Sequence, residues 1–110
     1  MHIIFDNIEE TKVDNMRGGE KSVALKTCAD GLCKIMNVRL IPGASIGYHK
    51  HETNCEIIFM TKGTGTFVTD GVKEIVHAGE ATYCPKGHSH SFTNETDEDI
   101  EALAIVPEQP

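Results

Sequence analysis

The amino-acid sequence predicts an all-β fold, a small antiparallel β-barrel formed by one domain over residues 1–110. Three observations carry that expectation. Ten glycines and two Asp-Gly dipeptides, Asp30-Gly31 and Asp70-Gly71, fall in a chain of 110 residues, a high density of tight-turn signals. From Ser22 onward, short apolar stretches alternate with those signals. No window of helical length repeats its apolar residues at a 3.6-residue period, so nothing competes with the strands. A chain this long can bury one modest core and is too short for two, and closing or sandwiching the sheet shelters the edges of so many short strands.

Taken in order, residues 1–20 form an N-terminal arm with a short apolar start and a Gly18-Gly19 break, but no periodic pattern. Residues 23–28 and 33–41 read as the two arms of a hairpin, and in the second arm Met36, Val38 and Leu40 share one face. If Asp30-Gly31 is a two-residue turn, Ala29 faces Leu32 and Cys28 faces Cys33, near enough for the sulfurs to bridge. In a reducing cytosol both are expected to stay free thiols. Pro42-Gly43 ends the second arm. Residues 48–51 and 56–60 are the next strands, and residues 65–69 and 72–77 flank the second turn, Asp70-Gly71. Residues 81–84, 88–92 and 100–106 complete a set of about eight, and residues 107–110 read as a frayed tail. Cys55 and Cys84 stand alone, and without a Cys-x-x-Cys pair no zinc ribbon is expected.

Composition narrows the function. Ten basic against seventeen acidic residues give a net charge of −7, which argues against nucleic acid and against an anionic membrane surface. The first six residues, Met-His-Ile-Ile-Phe-Asp, offer neither the basic start nor the apolar core of a secretory signal. The longest apolar run, residues 57–60, is far too short to cross a membrane. The expected location is cytoplasmic.

The chemistry is concentrated between Gly43 and Asn94. His49 and His51, spaced i, i+2, project from one face of a strand, so both can reach a single ion. Glu56 follows after four residues, long enough for the chain to turn back beside them. His90 arrives 34 residues later, next to Pro85 and Gly87, which rigidify the approach to its strand. Singly each residue is unremarkable; a His-x-His pair is weak evidence, and a lone Glu belongs on the surface. Together they form a plausible ligand set for one divalent metal.

These spacings are Gly43-x5-His49-x-His51-x4-Glu56-x6-Gly63, over residues 43–63, and Gly79-x5-Pro85-x-Gly87-x2-His90-x3-Asn94, over residues 79–94. In both stretches, without a gap, the chain resembles a small single-domain cupin of the conserved-barrel type. The resemblance implies a double-stranded β-helix, or jelly roll, with His49, His51, Glu56 and His90 as metal ligands inside the barrel. It also implies structural roles for Gly43, Gly63, Gly79, Pro85, Gly87 and Asn94, and a homodimer.

Three imidazoles and one carboxylate suit one divalent transition metal per chain, Mn, Fe, Co, Ni, Cu or Zn; the set is too nitrogen-rich for calcium or magnesium. Four protein ligands on an octahedral ion would leave two positions for a bidentate acid. His88, two residues before His90, is the candidate acid–base group, with a solvent-exposed rim position as its alternative. Ile58 and Met60, and with them Met36, Val38 and Leu40, are expected to pack around the cavity. The leading expectation is a metal-dependent enzyme, an isomerase, decarboxylase or dioxygenase, acting on a sugar derivative or a keto or hydroxy acid. The alternatives are a non-catalytic metal-dependent binding barrel and a purely structural metal site.

Overall fold

The two Asp-Gly dipeptides fold differently. The structure, a computed structural model, describes residues 1–110. At the second dipeptide Thr69 pairs with Val72, and Asp70 and Gly71 take φ values of 49° and 81°. Positive φ at both central residues is the hairpin turn whose twist matches the strands it joins. At the first, the Asp30 carboxylate instead accepts from the backbone N–H groups of Leu32 (2.8 Å) and Cys33 (2.9 Å). That places Asp30 before the turn, with Gly31 and Leu32 at its tip, and the Asp30 N–H donates to the Cys33 carbonyl at 3.1 Å. The register follows: Ala29 pairs with Lys34, and Cys28 with Ile35. The expected facing of Cys28 and Cys33 is therefore wrong by two residues, and all four cysteines are free.

Ten strands form two antiparallel sheets. They are β1 (Thr11–Asp14), β2 (Ser22–Ala29), β3 (Cys33–Leu40), β4 (Ser45–Lys50), β5 (Glu56–Lys62), β6 (Thr64–Thr69), β7 (Val72–His77), β8 (Ala81–Cys84), β9 (Ser89–Thr93) and β10 (Ile100–Pro107). One sheet runs β1-β2-β3-β10-β5-β8, the other β4-β9-β6-β7. Strand β1 lies in the arm that showed no pattern. Three of its four residues are exposed, and its pairing along the edge of β2 leaves no alternation to read. The β5–β6 corner turns at Gly63, where φ is +79° and a Cβ would meet Ile100 Cγ2 at 2.6 Å, so a side chain is excluded on both counts.

The core lies between the sheets. Strand β10 alternates strictly, burying Ile100, Ala102, Ala104 and Val106, and Met36, Val38 and Leu40 face them from β3. Phe67 and Phe92 stack with ring centroids 4.2 Å apart across the β6–β9 pair. Truncating a buried phenylalanine of this kind costs about 3–5 kcal/mol. The chain end is tied down rather than frayed: Glu108 N–H donates to the Leu32 carbonyl at 2.7 Å and Gln109 N–H to that of Thr53 at 2.8 Å. Satisfying these backbone groups needs partners remote in sequence, which is why the segment looked loose. No helix is long and apolar enough to cross a membrane.

Candidate metal centre

His49 reaches the barrel interior through a break in alternation. Ile46 pairs with Phe92 and is buried, while His49 pairs with His90, so three steps along β4 match two along β9. Strict alternation from Ile46 would turn Tyr48 inward and His49 outward. The extra residue at Gly47-Tyr48, a β-bulge, reverses that phase and leaves Tyr48 exposed. Gly47, at the bulge, also lets residue 17 approach: a Cβ there would lie 2.1 Å from the Arg17 carbonyl oxygen.

The other three residues arrive by simpler routes. His51 lies just beyond β4 and is held by both backbone groups. Its N–H donates to the His88 carbonyl at 2.9 Å, and its carbonyl accepts from Gly87 N–H at 2.6 Å, across the Pro85–His88 turn. Glu56 opens β5 opposite Cys84. His90 lies on β9, directly opposite His49.

Their side chains converge on one point. The three ring centroids are each 4.9 Å from the others. Nε2 of His51 lies 3.0 Å from that of His90 and 3.2 Å from that of His49. Oε1 of Glu56 lies 2.8 Å from His90 Nε2 and 3.2 Å from His51 Nε2. All four ligand atoms lie within 4.8 Å of one another. His51, Glu56 and His90 are buried, and His49 is partly exposed.

The outer nitrogens decide what this cluster can do. His49 Nδ1 is 2.7 Å from the Gly47 carbonyl, and His51 Nδ1 is 2.6 Å from Asn54 Oδ1. Both partners are acceptors, so both Nδ1 atoms carry the proton and both Nε2 atoms present lone pairs inward. Two lone pairs 3.2 Å apart repel unless a cation lies between them. Burial lowers the His49 pKa, keeping that imidazole neutral. The hydrogen bond to Glu56 raises that of His51. Burial pushes the Glu56 carboxyl up, but the hydrogen bonds from His51 and His90 together outweigh it and hold the group down at about 2. The donor set thus fits a borderline-soft divalent cation, and these four residues can hold one metal ion.

A cavity of about 90 Å³ adjoins the cluster, walled by Leu25, Met36, Val38, Ile58, Phe92 and Val106. Drug-sized pockets run to roughly 300–1,000 Å³, so this one admits only a few heavy atoms. Leu40 and Met60, expected at its wall, instead lie within the core. His88 is not part of the wall either. Its Nδ1 pairs with the Asp70 carboxylate at the β6–β7 turn, and both side chains are about half exposed. The Asp70 carboxyl is held below its usual range by that contact. Burial pushes the Cys84 thiol up to about 11. Sequence reasoning missed three polar lining residues, Asn54, Arg17 and Lys34. Asn54 had a faint signal, an amide three residues after a ligand histidine; the two cations had none.

The fold and part of the sequence have close parallels. The chain is 32% identical over 105 residues to an oxalate-binding protein of Thermotoga maritima, a match covering 90% of this chain and 87% of that protein. It superposes on the crystal structure of a predicted oxalate decarboxylase from Thermotoga maritima with a TM-score of 0.92 and 30% identity, over 98% of this chain and 99% of the other. A sugar phosphate isomerase from Silicibacter pomeroyi shares the fold, with a TM-score of 0.79 at 21% identity over 100% of this chain and 77% of that one. The sequence model of the cupin domain matches residues 36–106, and with two antiparallel sheets enclosing a His/Glu cluster, this chain belongs to the cupin family.

Proposed function

We propose that this cupin holds one divalent transition metal on His49, His51, Glu56 and His90 and uses it to capture a small carboxylate anion, with oxalate the first candidate. The observation that carries the reading is the convergence of imidazole lone pairs, their outer protons pinned by Gly47 and Asn54, on one buried carboxylate beside a small cavity. The likeness to an oxalate-binding protein supports the ligand class. When bound, the ion would supply a Lewis-acidic anchor for a carboxylate oxygen. The chain's own residues do the rest: Gly47 and Asn54 orient the rings, and the apolar wall excludes water and limits the length of the ligand.

Capture fits the cavity better than turnover. Apart from Glu56, no carboxylic acid lines it, so the wall offers no free acid to protonate a carbon that loses carbon dioxide. Decarboxylation is the second reading, favoured by the name of the solved relative, and the His88–Asp70 pair is then the acid–base group to test. The free cysteines suit a reducing cytoplasm. We further propose a homodimer formed through the outer face of the larger sheet, where Phe59 and Tyr83 are 42% and 53% exposed beside Ile57 and Leu103; gel filtration at monomer mass would refute it.

The test of the main reading is elemental analysis of natively purified protein followed by calorimetric titration with oxalate. Near-stoichiometric metal is expected, along with oxalate binding that disappears in His49→Ala and His90→Ala. Metal uptake unchanged in both variants would refute the site. Steady production of formate from oxalate would replace capture with catalysis.

A further inference from the structure

Residues 15–21 hold backbone strain that the metal cluster itself does not require. Asn15, Arg17 and Lys21 all have positive φ, at 50°, 55° and 56°, and of these residue types only asparagine enters that region readily. Such conformations persist where surrounding contacts impose them, and they gather at ligand sites. Here the imposing contact is backbone against backbone. A Cβ on Gly19 would lie 2.0 Å from the Ser45 carbonyl oxygen, and one on Gly47 would lie 2.1 Å from that of Arg17. Hydrogen bonds from Ser45 N–H to the Glu20 carbonyl (2.9 Å) and from Glu20 N–H to Ser45 Oγ (2.8 Å) clamp the same crossing. The N-terminal arm is thereby fastened across the strand that carries His49.

What this placement brings to the rim of the cavity is an exposed arginine whose positive charge acts on His51. Arg17 lines the same space as His49, His51 and Glu56. The chain has two arginines and 17 acidic residues. Arg39 is paired with both Glu10 and Asp99, whereas Arg17 forms no ion pair. An unpaired arginine in a strongly acidic protein, held in a strained conformation beside a metal-ligand cluster, has a use if the missing carboxylate comes from the ligand. The guanidinium fork matches a carboxylate with two parallel hydrogen bonds. Lys34, also at the wall, adds a point charge without that directionality.

We infer that Arg17 is the specificity-determining residue of the cavity, pairing with the second carboxylate of a short dicarboxylate, so that the site selects oxalate-sized dianions over monocarboxylates. The inference rests on the carboxylate-capture reading above and narrows its ligand.

Calorimetric titration of natively purified, metal-analysed protein with oxalate and with acetate tests it, using wild type, Arg17→Gln, Arg17→Lys and Arg17→Gly. Wild type should bind oxalate on the order of tenfold or more tighter than acetate, the worth of one good charge-assisted pair. In Arg17→Gln and Arg17→Gly the oxalate-to-acetate ratio should fall about tenfold from the wild-type value, to what chelation of the ion alone provides, with Arg17→Lys recovering part of it. Arg17→Gly also relieves the positive φ, so its melting temperature should equal or exceed that of wild type, which a merely structural arginine would not allow. An oxalate-to-acetate ratio unchanged from wild type in both Arg17→Gln and Arg17→Gly overturns the inference. Equal binding of oxalate and acetate by wild type overturns it too, while leaving carboxylate capture standing. Metal-loaded wild type that binds neither anion overturns both.

Discussion

The two ends of β9 bury polar side chains to opposite effect. Beyond one end, Asn94 has no exposed surface. Its Nδ2 donates to the carbonyls of Leu40 (2.9 Å) and Glu98 (2.7 Å), and its Oδ1 accepts from Thr96 N–H (2.9 Å) and Thr96 Oγ1 (2.7 Å). Near the other end, His90 meets His51 and Glu56 through atoms that are mostly acceptors. A saturated buried polar group is architecture, since every desolvated atom recovers a partner. A convergence of acceptors around one point is incomplete, and a cation completes it. Both His90 and Asn94 belong to the same short sequence motif, so the motif holds a candidate metal-binding end and a scaffolding end of one strand.

Breaking the binding end should give the largest effect. His90→Ala is expected to lower metal affinity by more than ~100-fold, beyond what loss of a supporting hydrogen bond costs, in a chelator-competition titration. Breaking the scaffolding end should be felt as stability instead: Asn94→Ala removes the amide that bonds the Leu40 and Glu98 carbonyls and Thr96. It should cost about 2–4 kcal/mol in urea unfolding, with metal per folded chain retained. Asn54→Ala probes the boundary between these roles, because it frees the His51 ring without removing a ligand atom. Its expected cost is about 10- to 100-fold in metal affinity, with little change in urea midpoint.

The smallest effect is the pH dependence of the metal-stripped protein. The folded value of about 2 for Glu56 lies below the ordinary 4.5, so the unfolded chain binds the proton more readily. The carboxylate therefore contributes stability that is complete above pH 4.5 and lost as pH falls from 4.5 toward about 2. Urea midpoints measured from about pH 6 to about pH 2 should drop across that window, and Glu56→Gln should flatten the step. A midpoint that rises on acidification would show that the histidines do not hold Glu56 charged.

Local rules read well where the determinants are local. Asp70-Gly71 made its turn because both residues tolerate positive φ, and the apolar alternation of Met36, Val38 and Leu40 did face the core. The four ligand candidates were legible because both stretches match the cupin motifs spacing for spacing, and the structure brings all four together from two strands of one sheet and one of the other. The Cys28–Cys33 pairing was misread because a side chain, Asp30, captured two backbone N–H groups and shifted the turn. His88, read either as an acid–base group near the cavity mouth or as a rim histidine in solvent, is about half exposed with its ring on Asp70.

The sequence by itself determined the fold class, the Asp70-Gly71 turn and the set of four candidate ligands, since these depend on residue types and on spacings read along the chain. Only the tertiary structure decided how they are aimed and what surrounds them. The phase of His49 depends on a bulge whose glycine is pressed against residue 17, and the place of Arg17 beside the cavity depends on an arm crossing β4. Both are long-range backbone contacts. No local periodicity encodes them, because their energy is realised only when segments distant in sequence meet.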